Sequence, residues 1–251
     1  MRQSAEWTYE TLAALGTREI ERFRRIAERV PYERKRILYS EMFLFYLGAR
    51  HAGARRLIES GRARGQSTLL MSLLFPELEI VSFEFDRDSP DVPVAAKRLA
   101  GCANVELRFG DATAMLPALL RPDDVVLIDG PKGMRGLRLA LRCLAFQRCP
   151  ALFVHDMIQG SVERAFADRH LPEALYSDDL RFAALSHVLD DACREAIPPG
   201  RRFRADRAAG YGFSLACIPA RRSRAYRALG ARALWHGVKH RLARALEAAG
   251  G

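Results

Sequence analysis

Four acidic residues, Glu84, Asp111, Asp129 and Asp156, each follow a short apolar segment of this 251-residue chain. Short segments rich in branched and aromatic side chains are typical of buried strands. If those strands are parallel, their carboxyl ends lie at one edge of a sheet, which is where such sheets bind ligands. Carboxylates can accept hydrogen bonds from hydroxyl and amino groups. We therefore expect a polar ligand at this edge.

A turn with two glycines, Gly61 and Gly65, precedes the four acids and lies between a predicted strand and a predicted helix. Glycine can adopt positive φ and lets a ligand approach the backbone. A helix that begins after such a turn directs unpaired N–H groups and its positive dipole end outward, so we expect a cradle for polar or negative groups. Dinucleotide pyrophosphates favour the tighter G-x-G-x-x-G pattern, which disfavours a nicotinamide or flavin cofactor. The structural alternative is a turn that only connects strand and helix.

Glu84 and Asp111 have types and positions that suit a nucleoside. A carboxylate at Glu84, about 20 residues after the glycines, can accept both hydroxyls of a ribose. Asp111, next to a backbone N–H, would provide the acceptor–donor pair that matches the amino edge of adenine. The structural alternatives are a surface acid for Glu84 and a helix N-cap for Asp111.

Lys132 and His155 could carry acid–base chemistry beside Asp129. Lys132 would accept a proton if desolvation or neighbouring charges lowered its pKa. The unperturbed pKa of histidine suits proton transfer near neutral pH, and His155 is the histidine that falls at the expected site. The structural alternatives are an exposed lysine, a capping aspartate and a buried histidine with satisfied hydrogen bonds. His187, on a later predicted strand, is expected to be structural.

Alternating strands and helices must position these side chains. Five strands separated by helices predict a doubly wound parallel sheet with both faces covered. The predicted strands are Arg56–Glu59, Glu79–Glu84, Val105–Phe109, Asp124–Ile128 and Ala151–Val154. The predicted helices between them run from the glycine turn to Leu74 and over Val92–Ala100, Ala112–Leu120 and Leu137–Phe146.

Further elements flank this core. Helical periodicity predicts one or two helices over residues 8–30 and another over Arg34–Ala49, which would cap the ligand site or pack on the sheet. After the fifth strand we expect a helix over Ser161–His170 and two strands, Arg181–Val188 and Tyr211–Ile218. A basic amphipathic helix is predicted from Arg221 to about Leu246.

The net charge of +10 is concentrated at the end of the chain. From residue 200 onward there are eleven arginines and one lysine against two acids, so the remainder is close to neutral. This excess would suit a nucleic acid or an anionic membrane surface. The alternative is a solvated helix with no partner of its own.

Cysteine usage and hydropathy narrow the class of protein. The five cysteines are scattered and form no C-x-x-C pair, which disfavours a disulfide framework or a zinc site. No run approaches the roughly 20 apolar residues of a membrane span. The first residues lack the pattern of a signal peptide, so a cytoplasmic location is expected.

Residues 37–157 resemble the class I S-adenosylmethionine-dependent methyltransferases, and most of all the catechol O-methyltransferase-like branch and its bacterial small-molecule relatives. The resemblance rests on five motifs at the strand ends. They are the E-x-G-x-x-x-G-x-S run from Glu59 to Ser67, the acid Glu84, Gly110-Asp111-Ala112, Ile128-Asp129-Gly130 followed by Lys132, and Val154-His155-Asp156.

The resemblance implies a fold, a cofactor and a set of site residues. It implies a Rossmann-like sheet of about seven strands whose last strand is antiparallel, in a domain over residues 51–219. An N-terminal helical cap over 1–50 precedes it, and a basic helix over 220–251 follows. S-adenosylmethionine would be the cofactor and S-adenosylhomocysteine the product. The implied contacts are Glu59, Gly61, Gly65 and Ser67 at the methionine end, Glu84 at the ribose, Phe85, Asp111 and Ala112 at the adenine, Asp129 near the reacting centre and Lys132 as the catalytic lysine.

The chain departs from the metal-dependent branch at one position. That branch has Asp-Asn at the end of strand five, whereas this chain has Asp156-Met157. Magnesium prefers hard oxygen ligands, and a thioether does not suit it. A metal is therefore not favoured, and Lys132 or His155 would deprotonate the acceptor unaided.

We expect an enzyme that transfers a methyl group to a hydroxyl of a small molecule or sugar. The first alternative is a methyltransferase that modifies RNA or another nucleic acid and binds it through the basic C-terminal helix. The second is a cofactor-binding protein of the same fold without transferase activity.

Overall fold

The computed structural model describes residues 6–33, 37–146, 149–193, 213–221 and 225–249. The helices are α1 Tyr9–Ala27, α2 Tyr39–Ala52, α3 Gln66–Leu74, α4 Asp91–Leu99, α5 Ala112–Leu119, α6 Met134–Phe146, α7 Val162–His170, α8 Leu180–Ser186 and α9 Tyr226–Ala249. A 3₁₀ helix spans His187–Cys193. The strands are β1 Arg56–Ser60, β2 Glu79–Glu84, β3 Val105–Phe109, β4 Asp124–Ile128, β5 Ala151–Val154, β6 Leu175–Tyr176 and β7 Ala216–Pro219.

The seven strands form one sheet in the order β3-β2-β1-β4-β5-β7-β6. Strands β1 to β5 are parallel, and β7 is antiparallel to both of its neighbours, β5 and β6. The predicted Rossmann-like sheet of seven strands with an antiparallel last strand is confirmed. The strand order reverses at β1, which pairs with both β2 and β4. A crevice at the carboxyl ends of such a pair is the usual ligand site of this architecture.

The central strands are apolar on both faces, as parallel strands covered by helices must be. In β4, Val125 and Leu127 join the core beneath α1, α2 and α3, whereas Val126 and Ile128 join the core beneath α5, α6 and α7. Successive side chains point to opposite faces of a strand, so one apolar run supplies both cores. The two cores hold the strand ends in a fixed relation to one another.

The flanking helices α2 and α9 both pack onto the domain. The ring of Phe45 in α2 lies against that of Phe153 in β5, with 5.0 Å between the ring centroids. In α9, Tyr226, Leu229 and Ala233 are buried in the same core as α6 and α7. Of the two expectations for the N-terminal helices, packing on the sheet is observed for α2. Among the described residues, no helix has the length and hydropathy needed to cross a bilayer.

The strand predicted over Arg181–Val188 is wrong, because this segment contains helix α8. The side chain of Asp179 caps α8 by accepting the N–H of Arg181 at 3.0 Å, and Phe182, Ala183 and Ser186 are buried at helical spacing. Strand β6 is instead the two-residue segment before α8.

Other predicted boundaries shift by smaller amounts. The strand predicted over Tyr211–Ile218 begins at Ala216 and ends at Pro219, and its first two residues lie outside the described part of the chain. Helix α2 begins at Tyr39, and residues 34–36 of the predicted helix are likewise outside the description. Helix α6 begins three residues before its predicted start, at Met134.

Candidate active site

A cleft of about 310 Å³ lies at the carboxyl ends of β1, β2, β3 and β4. Four of the five regions singled out in the sequence contribute to its wall. The lining residues are Ser60, Gly61, Phe83, Glu84, Phe85, Gly110, Asp111, Ala112, Thr113, Gly130, Pro131 and Arg135. Phe85 is 74% exposed, which places a large aromatic ring at the cleft without a packing role in the core.

The glycine turn closes against β2 and β4 rather than presenting free donors. The N–H groups of Gly61 and Arg62 donate to the carbonyl of Phe83 at 3.0 Å, and that of Ala63 donates to Glu84 at 2.8 Å. The expectation of free N–H groups is therefore wrong for these three residues. Gly61 has φ of 94°, and a Cβ there would lie 2.6 Å from the nitrogen of Gly130. Only glycine permits this contact between the ends of β1 and β4.

Glu59 lies beneath the turn and is fully buried. Its carboxylate accepts hydrogen bonds from the hydroxyls of Ser67, Thr68 and Ser82, the last at 2.6 Å. Burial raises the pKa of Glu59, although these three donors oppose the shift. Glu59 and Ser67 thus fix the start of α3 under the cleft and do not line it. Gly65 is buried too, at the N-cap of α3.

Glu84 is held rigidly at the mouth of the cleft. One carboxylate oxygen accepts the N–H of Ala63 and the other that of Phe85, both at 2.8 Å. Each carboxylate oxygen has two lone pairs, so the group retains capacity for further donors. The oxygen that accepts from Phe85 also accepts the N–H of Asp86 at 3.4 Å, so the oxygen that accepts from Ala63 has the freer lone pair for a further donor.

Asp111 caps helix α5 and lines the cleft at the same time. Its Oδ1 accepts the backbone N–H of Thr113 at 2.8 Å and the hydroxyl of Thr113 at 2.6 Å. These bonds lower the pKa of Asp111. Within the described residues, both contacts are made by Oδ1, which leaves Oδ2 available as an acceptor. The two alternatives considered for this residue are therefore compatible.

A cluster of charged side chains lies at the ends of β4 and β5. The ammonium of Lys132 contacts the carboxylate of Asp129 and lies 3.0 Å from Oδ2 of Asp156. The same Nζ lies 2.9 Å from Nδ1 of His155, which also contacts Asp129. The structure thus brings together all three residues that the sequence indicated for acid–base chemistry. The backbone of Asp156 has a positive φ of 61°.

The electrostatics of this cluster keep His155 and Lys132 cationic. His155 is 7% exposed; burial opposes its charged form, but Glu41 and Asp129 outweigh it and raise the pKa to about 10. Burial also opposes the charge on Lys132, yet Asp129 and Asp156 raise its pKa. Conversely, His155 and Lys132 outweigh the burial of Asp129 and lower its pKa. The arrangement favours stabilisation of a negative oxygen over proton abstraction by a neutral amine.

Glu41 is a site residue that the sequence analysis did not identify. It is fully buried in α2, and its Oε1 faces Nε2 of His155 at 3.3 Å. Its other oxygen accepts the N–H of Leu38 at 2.8 Å. A carboxylate within an otherwise apolar helix was the available signal, because such a charge needs a partner.

Two arginines near the cleft were also missed. Arg62 is 2% exposed and donates to the carbonyl of Ser82 at 2.8 Å, and burial lowers its pKa. Arg135 lines the cleft from the start of α6. Neither position belongs to a pattern in the sequence, so only the folded chain identifies them.

The residues present do not fit a divalent metal ion. The ammonium of Lys132 lies between the carboxylates of Asp129 and Asp156, in the space that a shared cation would need. Met157 is fully buried in the apolar core. Across the described ranges, no group of three or more His, Cys, Asp or Glu side chains is placed to hold a metal.

Comparisons with known proteins yield no family and several distant structural likenesses. No family model matches the chain, and no curated protein matches it. The O-methyltransferase TomG from Streptomyces achromogenes, solved with SAM, is 20% identical, with 88% of this chain and 100% of that chain covered and a TM-score of 0.47. An O-methyltransferase from Bacillus cereus in complex with SAH is 16% identical, with 85% and 91% covered and a TM-score of 0.45. Cofactor-bound Rv0187 from MTB is 23% identical, with 79% and 88% covered and a TM-score of 0.44.

Proposed function

We propose that this chain is a class I S-adenosylmethionine-dependent methyltransferase that acts on a hydroxyl of a small molecule. The main support for this proposal is that the cleft and the charged cluster lie next to each other. A cleft with acceptors suited to a ribose and an adenine adjoins the cluster of Lys132, Asp129 and His155 at the same sheet edge. The site motifs of the sequence agree with that geometry.

The cleft residues match the parts of the cofactor. The fixed carboxylate of Glu84 would accept hydrogen bonds from the ribose hydroxyls, and Oδ2 of Asp111 would accept one from the adenine amino group. The exposed ring of Phe85 would stack on the adenine. Gly61 and Asp129 would border the methionine end, which Glu59 and Ser67 support from beneath. Of the four glycine-turn residues, Gly61 lines the cleft, and Glu59, Gly65 and Ser67 would act by holding the turn in place.

S-adenosylmethionine, when bound, supplies a methyl group on a good sulfonium leaving group. The protein therefore has to align the acceptor oxygen, and such positioning contributes about 7–11 kcal/mol at best. The acceptor hydroxyl would lose its proton to solvent, and a cationic Lys132, whose ammonium Asp129 and Asp156 fix, would hold the resulting negative oxygen. His155, clamped between Glu41 and Asp129, would keep Asp129 in place. An acidic hydroxyl, such as a phenol, is the acceptor that this arrangement suits.

Replacement of Lys132 tests the proposal directly. We expect Lys132→Met to lower turnover about 100-fold or more while S-adenosylhomocysteine binding is retained, because the charge would act on the acceptor oxygen. Transfer of isotopically labelled methyl groups to a panel of phenols and sugars measures turnover, and calorimetry measures binding. Lys97→Met, which removes an exposed lysine of α4, is the matched control.

Two results would contradict this assignment. Wild-type turnover in Lys132→Met would exclude the proposed role of the ammonium. Tight cofactor binding with no transfer to any hydroxyl compound would favour the alternative of a cofactor-binding protein without transferase activity.

A further inference from the structure

A groove between α6 and α9 leads away from Lys132. It consists of two adjoining cavities of about 470 and 630 Å³, which share Arg135, Arg138 and Leu234. The larger cavity reaches Lys132, and the smaller shares Arg135 with the cleft described above. We call this feature the α6–α9 groove. It connects directly to both parts of the candidate active site.

The α6–α9 groove is strongly basic. Arg135, Arg138 and Arg142 are spaced by three and four positions, so they share one face of α6 over roughly 10 Å of the helix. Arg227 faces them from α9. Among the described residues, none of these four arginines lies within 4.0 Å of a carboxylate oxygen, although the charge of Arg135 acts on Asp111 and helps to lower its pKa. Glu163 is the single acid that lines the two cavities among these residues.

Contacts with the protein hold two of these guanidinium groups in place. The guanidinium carbons of Arg142 and Arg227 lie 5.8 and 5.5 Å from the ring centroid of Phe146, which is 56% exposed. Arg142 also donates to the carbonyl of Thr113 at 2.9 Å. Stacking on an aromatic ring orders a guanidinium while leaving N–H groups free to donate. The groove therefore presents oriented donors and an apolar ring side by side.

We propose that the α6–α9 groove binds the anionic part of the methyl acceptor, and that the acceptor is a small molecule carrying a phosphate ester. This inference rests on the function proposed above. Phosphate has a charge of about −1.5 to −2 and three acceptor oxygens, which suits several guanidinium groups that have no carboxylate partner. Cavities of these volumes fit a small ligand better than a nucleic acid duplex. The neighbouring Lys132 would then receive the hydroxyl.

A matched series of phenyl compounds tests this inference on the full chain. Calorimetry with saturating S-adenosylhomocysteine would measure binding of phenyl phosphate, benzoate and phenol. We expect phenyl phosphate to bind about tenfold or more tightly than the other two. The double variant Arg138→Gln/Arg227→Gln removes one guanidinium from each helix outside the cofactor cleft and should weaken phenyl phosphate binding about tenfold or more. Arg232→Gln, on the same helix but outside the groove, should leave it unchanged.

The outcomes separate this inference from the proposed function. If S-adenosylhomocysteine binds but phenyl phosphate does not, or if Arg138→Gln/Arg227→Gln binds phenyl phosphate as the wild type does, the groove assignment is wrong and the proposed function stands. If benzoate binds as tightly as phenyl phosphate, the assignment of a phosphate ester is wrong and a carboxylate takes its place. Binding of a 12-nucleotide single-stranded RNA without binding of phenyl phosphate would assign the surface to nucleic acid instead. If S-adenosylhomocysteine itself does not bind, both proposals fail.

Discussion

At the residue scale, the site combines three carboxylates and two cations. Glu41, Asp129 and Asp156 surround Lys132 and His155, so protonation of both bases still leaves one negative charge in excess. That balance explains why burial does not neutralise either base. The protonated ring of His155 lies between Glu41 of α2 and Asp129, which follows β4, and the histidine thereby acts as a structural cation. The sequence predicted that His155 lies at the site but not this role, because Glu41 is distant along the chain.

The protonation of His155 should make the free energy of unfolding depend on pH. Its pKa is raised from an ordinary value of 6.5 to about 10 in the folded chain. The stabilising contribution is therefore fully present below about pH 6.5 and is lost as the pH rises towards 10. We expect the free energy of unfolding, measured in urea, to fall between pH 7 and 10 in the wild type, and to fall less steeply in His155→Gln.

His240→Gln provides the control for that comparison, because His240 is exposed on α9 and outside the cluster. It should retain the wild-type slope. Equal slopes in wild type and His155→Gln would contradict a cationic His155 between two carboxylates.

At the element scale, the spacing of apolar residues predicted most of the helices and strands, because most of these elements pack their apolar side chains against the core. Strands β2, β3, β4 and β5 have their predicted bounds, since β2, β4 and β5 contain compact apolar runs and the apolar residues of β3 alternate with charged ones. The segment Arg181–Val188 was mistaken for a strand although Ala183, Ala184 and Leu185 favour a helix and Asp179 caps its start. Strand β6, with two residues, is too short to show any period. Its pairing with β7 depends on contacts that are distant in sequence.

Helix α9 should contribute to stability through its first turns. Leu229 is buried against α6 and α7, whereas Leu242 on the same helix is 59% exposed. We expect Leu229→Ala to lower the free energy of unfolding by about 2 kcal/mol or more, since the change leaves a cavity in a packed core. Leu242→Ala should change it by less than about 0.5 kcal/mol. Urea denaturation measures both. Equal effects would mean that α9 is not packed on the domain as described.

At the scale of the whole molecule, a stabilising ion pair and the candidate active site lie at opposite ends of the strands. The buried pair of Arg56 and Asp124, with Nη2 and Oδ2 2.7 Å apart, joins β1 to β4 at their amino ends. The cleft and the charged cluster lie at the carboxyl ends of the same strands. The sequence predicted the site at the carboxyl ends well, because every motif lies at the end of a strand. It did not predict the α6–α9 groove, which requires two helices from distant parts of the chain.

This separation predicts a variant that loses stability but not affinity. Arg56→Met leaves Asp124 buried without its partner and should lower the free energy of unfolding by about 3–5 kcal/mol. The affinity of the folded molecules for S-adenosylhomocysteine should not change. The neighbouring Arg55 provides the control, because its pair with Asp123 is exposed at 73% and 67% and Arg55→Met should have little effect on either quantity. A large loss of affinity in Arg56→Met would show that the two edges are coupled.

We propose that the cleft at the carboxyl ends of β1 to β4 binds the methyl donor. Calorimetric titration of the full chain with S-adenosylhomocysteine tests it most directly, with Glu84→Gln and Glu79→Gln compared at the two ends of β2. We predict one site in the wild type, an affinity about 10- to 100-fold lower in Glu84→Gln because a charged hydrogen bond to the ribose is lost, and no change in Glu79→Gln. No binding to the wild type, or equal binding by Glu84→Gln, would contradict a methyl-donor site in this cleft.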